Sequence, residues 1–293
     1  MDLKKPISFE AQIEKLKGKN IIIEDCTESI EFLRCVNYYR FSAYFLPFRG
    51  PDGKCFDRIT FHKIRMIYEF DQRLRSIIID AIEDIEVYLK TQLAYYHTHV
   101  YGEIGYMSPQ VFNERHDHIT FIKRINRCID ENRNTLVVKH HMQKYNGNFP
   151  LWVVIEFFSM GMLSHFFRSL KTQDQKEIVH NIYNNISYQH LLSWMRCITD
   201  LRNKCAHYSR MYYWIFPATP KMPENIKYKP TRRLFSQLYM LKMMYPNPNK
   251  WETKFMKPLR EIYQEYEPYI SLKHIDFPSG WDTMLTNVAY KER

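Results

Sequence analysis

Residues 60 to 97 carry an apolar stripe long enough to decide the architecture. Ile67, Leu74, Ile78, Ala81, Ile85 and Leu89 recur at spacings of three, four and seven. That spacing keeps them on one side of a helix with 3.6 residues per turn but would scatter them over both faces of a strand. One long amphipathic helix is predicted, with Thr60 as its N-cap and the Pro51-Asp52-Gly53 turn just upstream. Such a helix has to bury its stripe against other helices.

The rest of the chain is suited to supply them. Only eight glycines occur among 293 residues, and no internal repeat or low-complexity segment is visible, which disfavours a sheet-rich α/β enzyme with Gly-rich loops. Helices are expected at about 115 to 133, 150 to 170, 173 to 183 and 188 to 208. The second of these is opened by Pro150 and carries Trp152, Ile155, Phe158, Met162 and Phe166, with Gly161 allowing another backbone to come close. In the last, Leu191, Trp194, Met195, Ile198 and Leu201 face inward. Pro217, Pro220, Pro223 and Pro230 then interrupt the pattern, ahead of helical pieces at about 231 to 244 and 250 to 266 and an irregular tail. The expected fold is all-α: a small helical lead-in over 1–50, a helical core over 51–216 and a Pro-interrupted helical C-terminal extension over 217–293.

Charge narrows the partner. Lys plus Arg number 42 against 32 Asp plus Glu, a formal net charge of +10, which favours a polyanion through phosphate neutralisation and counterion release. Aromatic residues make up 16% of the chain, with 22 tyrosines; such rings stack unpaired bases, although most of them are needed for the core. Cys26, Cys35, Cys55, Cys128, Cys197 and Cys205 form no C-x-x-C pair, so neither a zinc knuckle nor a disulfide framework is expected. The opening Met1-Asp2-Leu3-Lys4-Lys5-Pro6 lacks the apolar core of a signal peptide, and no apolar run approaches the roughly 20 residues of a membrane span. A cytoplasmic protein with reduced thiols and no membrane partner is the expectation.

Arg202-Asn203-Lys204-Cys205-Ala206-His207 fits the pattern R-x4-6-H. The pattern is weak alone, since chance supplies roughly two matches in a chain of this composition, and Arg133 with His140 is another. Its company raises it. Four blocks, in order, are Val36-Asn37-Tyr38-Tyr39-Arg40-Phe41-Ser42-Ala43-Tyr44-Phe45-Leu46-Pro47-Phe48, then Phe70-Asp71-Gln72-Arg73-Leu74-Arg75 leading into Ala81–Val87, then Pro150-Leu151-Trp152 through Glu156 to Ser159-Met160-Gly161-Met162-Leu163-Ser164, and last Leu201–Arg210 around the motif. Together they resemble the Abi-like (abortive infection) family of the HEPN superfamily over about residues 30 to 215. Met160 stands where that family usually has Phe, and Ala43 where it has Gly.

The resemblance implies a HEPN-like bundle and RNA cleavage by the RNA's own 2′-hydroxyl, leaving a cyclic phosphate, with no metal and no cofactor. A histidine can relay protons near neutral pH, and an arginine presents a permanently charged fork to phosphate oxygens. His207 is therefore assigned to acid/base work and Arg202 to phosphate stabilisation. One histidine cannot conveniently serve both faces of the scissile bond, so a symmetric homodimer is implied. On an ideal helix Arg202 and His207 stand about 140° apart, whereas Asn203 and His207 share a face and make Asn203 an orienting or phosphate-contacting candidate. Arg210 and Lys204 are expected to add positive charge for RNA. Glu86 and Lys90 resemble the E-x3-K/R pair of many HEPN domains and are counted with the RNA-binding residues on that ground; an ordinary intrahelical ion pair worth about 0.3–0.5 kcal/mol explains them equally well.

The alternative function is a catalytically silent RNA-binding module holding a dedicated small non-coding RNA. The pairs His97 and His99, His116 and His118, and His140 and His141 lack cysteine or carboxylate partners at ligand spacing and read as surface histidines. Lys4-Lys5, Lys227 with Lys229, and Arg232-Arg233 are short basic clusters whose usual meaning is a solvated face, and they are also candidates to help hold an RNA backbone.

Overall fold

The computed structural model describes residues 3, 5–56, 59–183 and 186–286; Lys4 of the first basic cluster lies outside them. The lead-in is α1 (Phe9–Lys17), β1 (Ile21–Ile22), α2 (Cys26–Cys35) and α3 (Tyr38–Ser42), the last running into a 3-10 turn over Ala43–Phe48. β2 (Ile59–Thr60) pairs in parallel with β1, Ile21 opposite Ile59, and so straps the lead-in to the start of the next helix.

That helix, α4 (Phe61–Tyr101), is the predicted one and runs for 41 residues. Thr60 caps it by accepting the Lys63 amide at 3.1 Å, and Gly102, at φ +82, ends it. All six stripe residues are 0% exposed. They are covered by α7 (Leu151–Val154), α9 (Thr172–Ile182), α10 (Tyr188–Ala206) and α13 (Lys257–Tyr266), with α8 (Met160–Ser169) packed along α10. α10 turns Leu191, Trp194, Met195, Ile198 and Leu201 inward as its period requires, all of them 0% exposed.

Between α4 and α7 the chain makes α5 (His118–Glu131) and α6 (Leu136–Lys144), the latter not expected from the sequence. After α10 the Pro-interrupted crossing leads to α11 (Leu234–Met244), α12 (Pro248–Trp251), a π-helical turn over Glu252–Met256 that continues into α13, and α14 (Trp281–Thr286). The tail is thus more regular than expected.

The single helix expected over 150 to 170 is two. Phe158 and Ser159 are extended, and the Ser159 hydroxyl accepts the Met162 amide at 3.3 Å, restarting the chain as α8. Trp152 comes out 49% exposed instead of facing the core. Nor does Gly161 mark a close approach, since a Cβ there would meet only ordinary contacts at 3.8 Å.

Candidate functional site

α10 ends on the motif. His207 is its C-cap, Tyr208 follows at φ +54, the Tyr208 amide donates to Cys205 O at 3.0 Å and the Ser209 amide to Lys204 O at 2.9 Å. These two bonds make a Schellman turn, which normally places glycine where Tyr208 stands. An L-residue in that conformation costs about 1–2 kcal/mol, and the Tyr208 ring is 69% exposed, so packing returns little of it. Tyr208→Gly is expected to raise stability by about 1 kcal/mol in urea unfolding; an unchanged or lowered midpoint would show that this ring contributes contacts of its own.

What holds the turn comes from far away in sequence. The Arg40 guanidinium donates to the Tyr208 carbonyl. Asp71, 0% exposed on α4, accepts from the Met211 amide at 3.1 Å, the Tyr212 amide at 2.8 Å and the Tyr44 hydroxyl at 2.6 Å. Arg75, one turn on, pairs with Asp71 and donates to the Ser209 carbonyl at 3.3 Å. Burial pushes the Asp71 carboxyl up, while the Arg75 charge, the Tyr44 hydroxyl and the two amides oppose it. Sequence reasoning missed this clamp. Its signal was present in the quoted blocks, because Arg40, Tyr44, Asp71 and Arg75 all belong to the first two: Arg40 and Arg75 reach the fourth, and Asp71, held by Tyr44, fixes Met211 and Tyr212 just after it.

Beyond the turn lies an open groove of about 400 Å³ whose lining includes Asn203, Lys204, His207, Asp200, Trp214 and Arg232. Asn203 and His207 are both exposed, as their i, i+4 spacing on the solvent side of α10 demands. Lys204 lies over the Trp214 ring, 3.4 Å from its centroid, and burial lowers its pKa, aided by Arg210. Arg232 holds the far wall by donating to the Phe216 carbonyl. Asp200 and Trp214 were not singled out from the sequence; Arg232 was named there as part of a basic cluster, and only the fold brings it to the motif.

Two expected members stand outside this groove. Arg202 is half-buried and is not part of its lining. Arg210 turns away to donate to the carbonyls of Tyr212 at 2.6 Å and Tyr213 at 3.4 Å, where burial pushes its guanidinium down. Glu86 and Lys90 form the i, i+4 pair at 3.2 Å, and Lys90 also donates to the Glu156 carbonyl at 3.0 Å. They tie α4 to the break between α7 and α8, and neither lines the groove. Arg133 and His140 are exposed, one in the α5–α6 turn and the other on α6.

The histidine pairs are not uniformly at the surface. His97 is 0% exposed and His141 8%, while His116 Nε2 lies 3.2 Å from His118 Nδ1. Among the described residues no three His, Cys, Asp or Glu side chains are placed to hold a metal ion, and no helix is long and apolar enough to cross a membrane. All six cysteines are free thiols, and burial pushes Cys205, inside the motif, up to about 12.

Comparison with known proteins agrees with the convergence of the blocks. No curated protein and no solved structure matches the chain. The sequence model of the Abi-like protein family matches residues 31–213, from α2 through the motif and its clamp. The chain belongs to the Abi-like protein family, and its role is accordingly in phage defence by abortive infection.

Proposed function

We propose that the protein is a metal-independent endoribonuclease of the HEPN type that acts as a homodimer. The observation that carries this reading is the groove at the end of α10, where exposed Asn203 and His207 share one face with the cations of Lys204 and Arg232 beside them. A phosphodiester is the natural occupant of such a groove.

In this reading His207 takes the proton from the 2′-hydroxyl as that oxygen attacks phosphorus. The P–O5′ bond breaks, leaving a 2′,3′-cyclic phosphate, and the departing 5′-oxygen receives its proton from His207 of the second copy. Asn203 orients the phosphate and Lys204 neutralises developing charge. Arg202 does not line the groove of its own chain, and it is assigned to the composite site formed when two copies pair.

The test is cleavage of a labelled single-stranded RNA. His207→Ala should lower the rate at least about a hundredfold, the lower end for loss of a general acid–base group, with cyclic-phosphate ends on the parent's products. A variant that cuts as fast as the parent sinks the assignment. The position of Arg202 also favours a second reading, a silent module that retains a small RNA; copurification of one discrete RNA with no cleavage by the parent protein would select it.

A further inference from the structure

A cavity larger than the motif groove lies away from it. A cleft of about 1120 Å³ opens between α5, α8, the start of α9 and the start of α10, and its lining includes Arg115, Arg124, Arg168 and Lys171. All four are exposed, and among the described residues none of them is in an ion pair. The acidic side chains of the lining are Glu114 and Asp117, and Asp117 is already used in capping α5 through the Thr120 amide at 3.0 Å. Arg168 donates to the neutral acceptor His165 Nδ1 at 2.7 Å, so its charge stays uncompensated. Burial and the charges of Arg168 and Arg124 lower the pKa of His165, as an electropositive floor requires.

This cleft and the motif groove lie at opposite ends of one helix, on the same side of it. Gln189 lines the cleft, Asn203 and His207 line the groove, and Arg196 stands between. These four residues, at intervals of seven, seven and four, are the exposed ones on α10 from Gln189 onward, and that spacing returns to the same angular position on a helix. The path from Gln189 to His207 is about 27 Å at 1.5 Å per residue.

We propose that the α5–α8–α9 cleft is an anchoring site for the phosphodiester backbone of single-stranded RNA, and that the strand runs from it along the exposed face of α10, past Arg196, to the groove at His207. The proposal rests on the nuclease reading only for the identity of the ligand as RNA. Four cations outside any ion pair, against two carboxylates in the same concavity, match a chain of phosphates better than a single small anion. Through the cleft the protein gains affinity from a part of the substrate that does not react.

Binding is to be measured apart from cleavage, in the full-length His207→Ala background, by anisotropy of a fluorescein-labelled single-stranded RNA of 20 nucleotides and of the same sequence as a duplex. Arg124→Ala with Lys171→Ala should weaken single-strand binding at least about tenfold at low salt. The same double variant should reduce the slope of log K against log salt by about 1.4, or about 0.7 per lost phosphate contact. Lys139→Ala with Lys257→Ala removes the same charge from exposed positions on α6 and α13, and it should change binding less than about twofold. Equal weakening by both pairs, or none from the cleft pair, overturns the proposal, and the cleft would then suit an acidic protein surface. Preference for the duplex overturns it as well. Cleft-dependent binding together with undiminished cleavage by the His207→Ala variant keeps the anchoring site and removes the catalytic assignment. Normal His207-dependent cleavage with a cleft variant that binds as tightly as the control does the reverse.

Discussion

Replacing Asp71 with alanine should cost about 3–5 kcal/mol of folding stability, the usual penalty for leaving a buried charge without its partner. The Arg75 guanidinium is the charge left behind, at 5% side-chain exposure, and the Tyr44 hydroxyl and the amides of Met211 and Tyr212 lose their acceptor at the same time. Urea unfolding reads the loss, and amide exchange at Met211 and Tyr212 locates it. If the proposed nuclease activity holds, the same substitution should slow RNA cleavage although Asp71 does not line the motif groove, because the turn after His207 loses its anchor. Converting both partners together, Asp71→Leu with Arg75→Met, should recover part of the stability, since removing a whole buried ion pair is far less damaging than halving it. A single-variant cost below about 1 kcal/mol would mean that water reaches the clamp and that it does not hold the motif.

The second large effect is acid lability from His97. The imidazole is fully buried on α4, its ring nitrogens have no hydrogen-bond partner among the described residues, and the rings of Tyr101, Phe112 and Phe166 surround it. Burial alone pushes its pKa down to about 4 from an ordinary 6.5. Between those values the unfolded chain binds a proton that the folded one refuses, so stability falls as pH drops from about 6.5 to 4. The contribution is about 3 kcal/mol by the lower limit, at 1.36 kcal/mol per pKa unit. His97→Leu should remove this part of the pH dependence. The difference between variant and parent in urea midpoint should grow on going from pH 7.5 to pH 4.5; a constant difference would show that the ring is protonated in the folded protein.

How far the sequence revealed this molecule can be judged from particular elements. α4 and α10 were legible because each buries a continuous stripe, written over about six turns in the first and about three in the second, at the 3.6 period of a helix. The break at Phe158–Ser159 was not, because buried Ile155, Phe158 and Phe166 keep an apolar rhythm across it. α6 left no trace for the opposite reason: Leu136 is 86% and Met142 57% exposed, so its apolar residues mark no inner face. At the site, the shared face of Asn203 and His207 followed from helix geometry alone. The clamp did not, because Asp71 and Arg75 look in sequence like any i, i+4 ion pair on a solvated face, and only tertiary contact reveals that their partners are about 140 residues away. His97 was taken for a surface residue because a single buried histidine disturbs no periodic signal.

The continuity of α4 decides where this protein can flex. One uninterrupted rod, pressed against α7, α9, α10 and α13, leaves no point about which the two ends of the molecule could hinge. α5 and α6 share no comparably broad contact with it, yet α5 supplies Thr120, Phe121 and Arg124 to the large cleft. The width of the cleft is therefore set by where α5 sits, whereas the groove at the end of α10 is lined by none of the α5 residues and is independent of it.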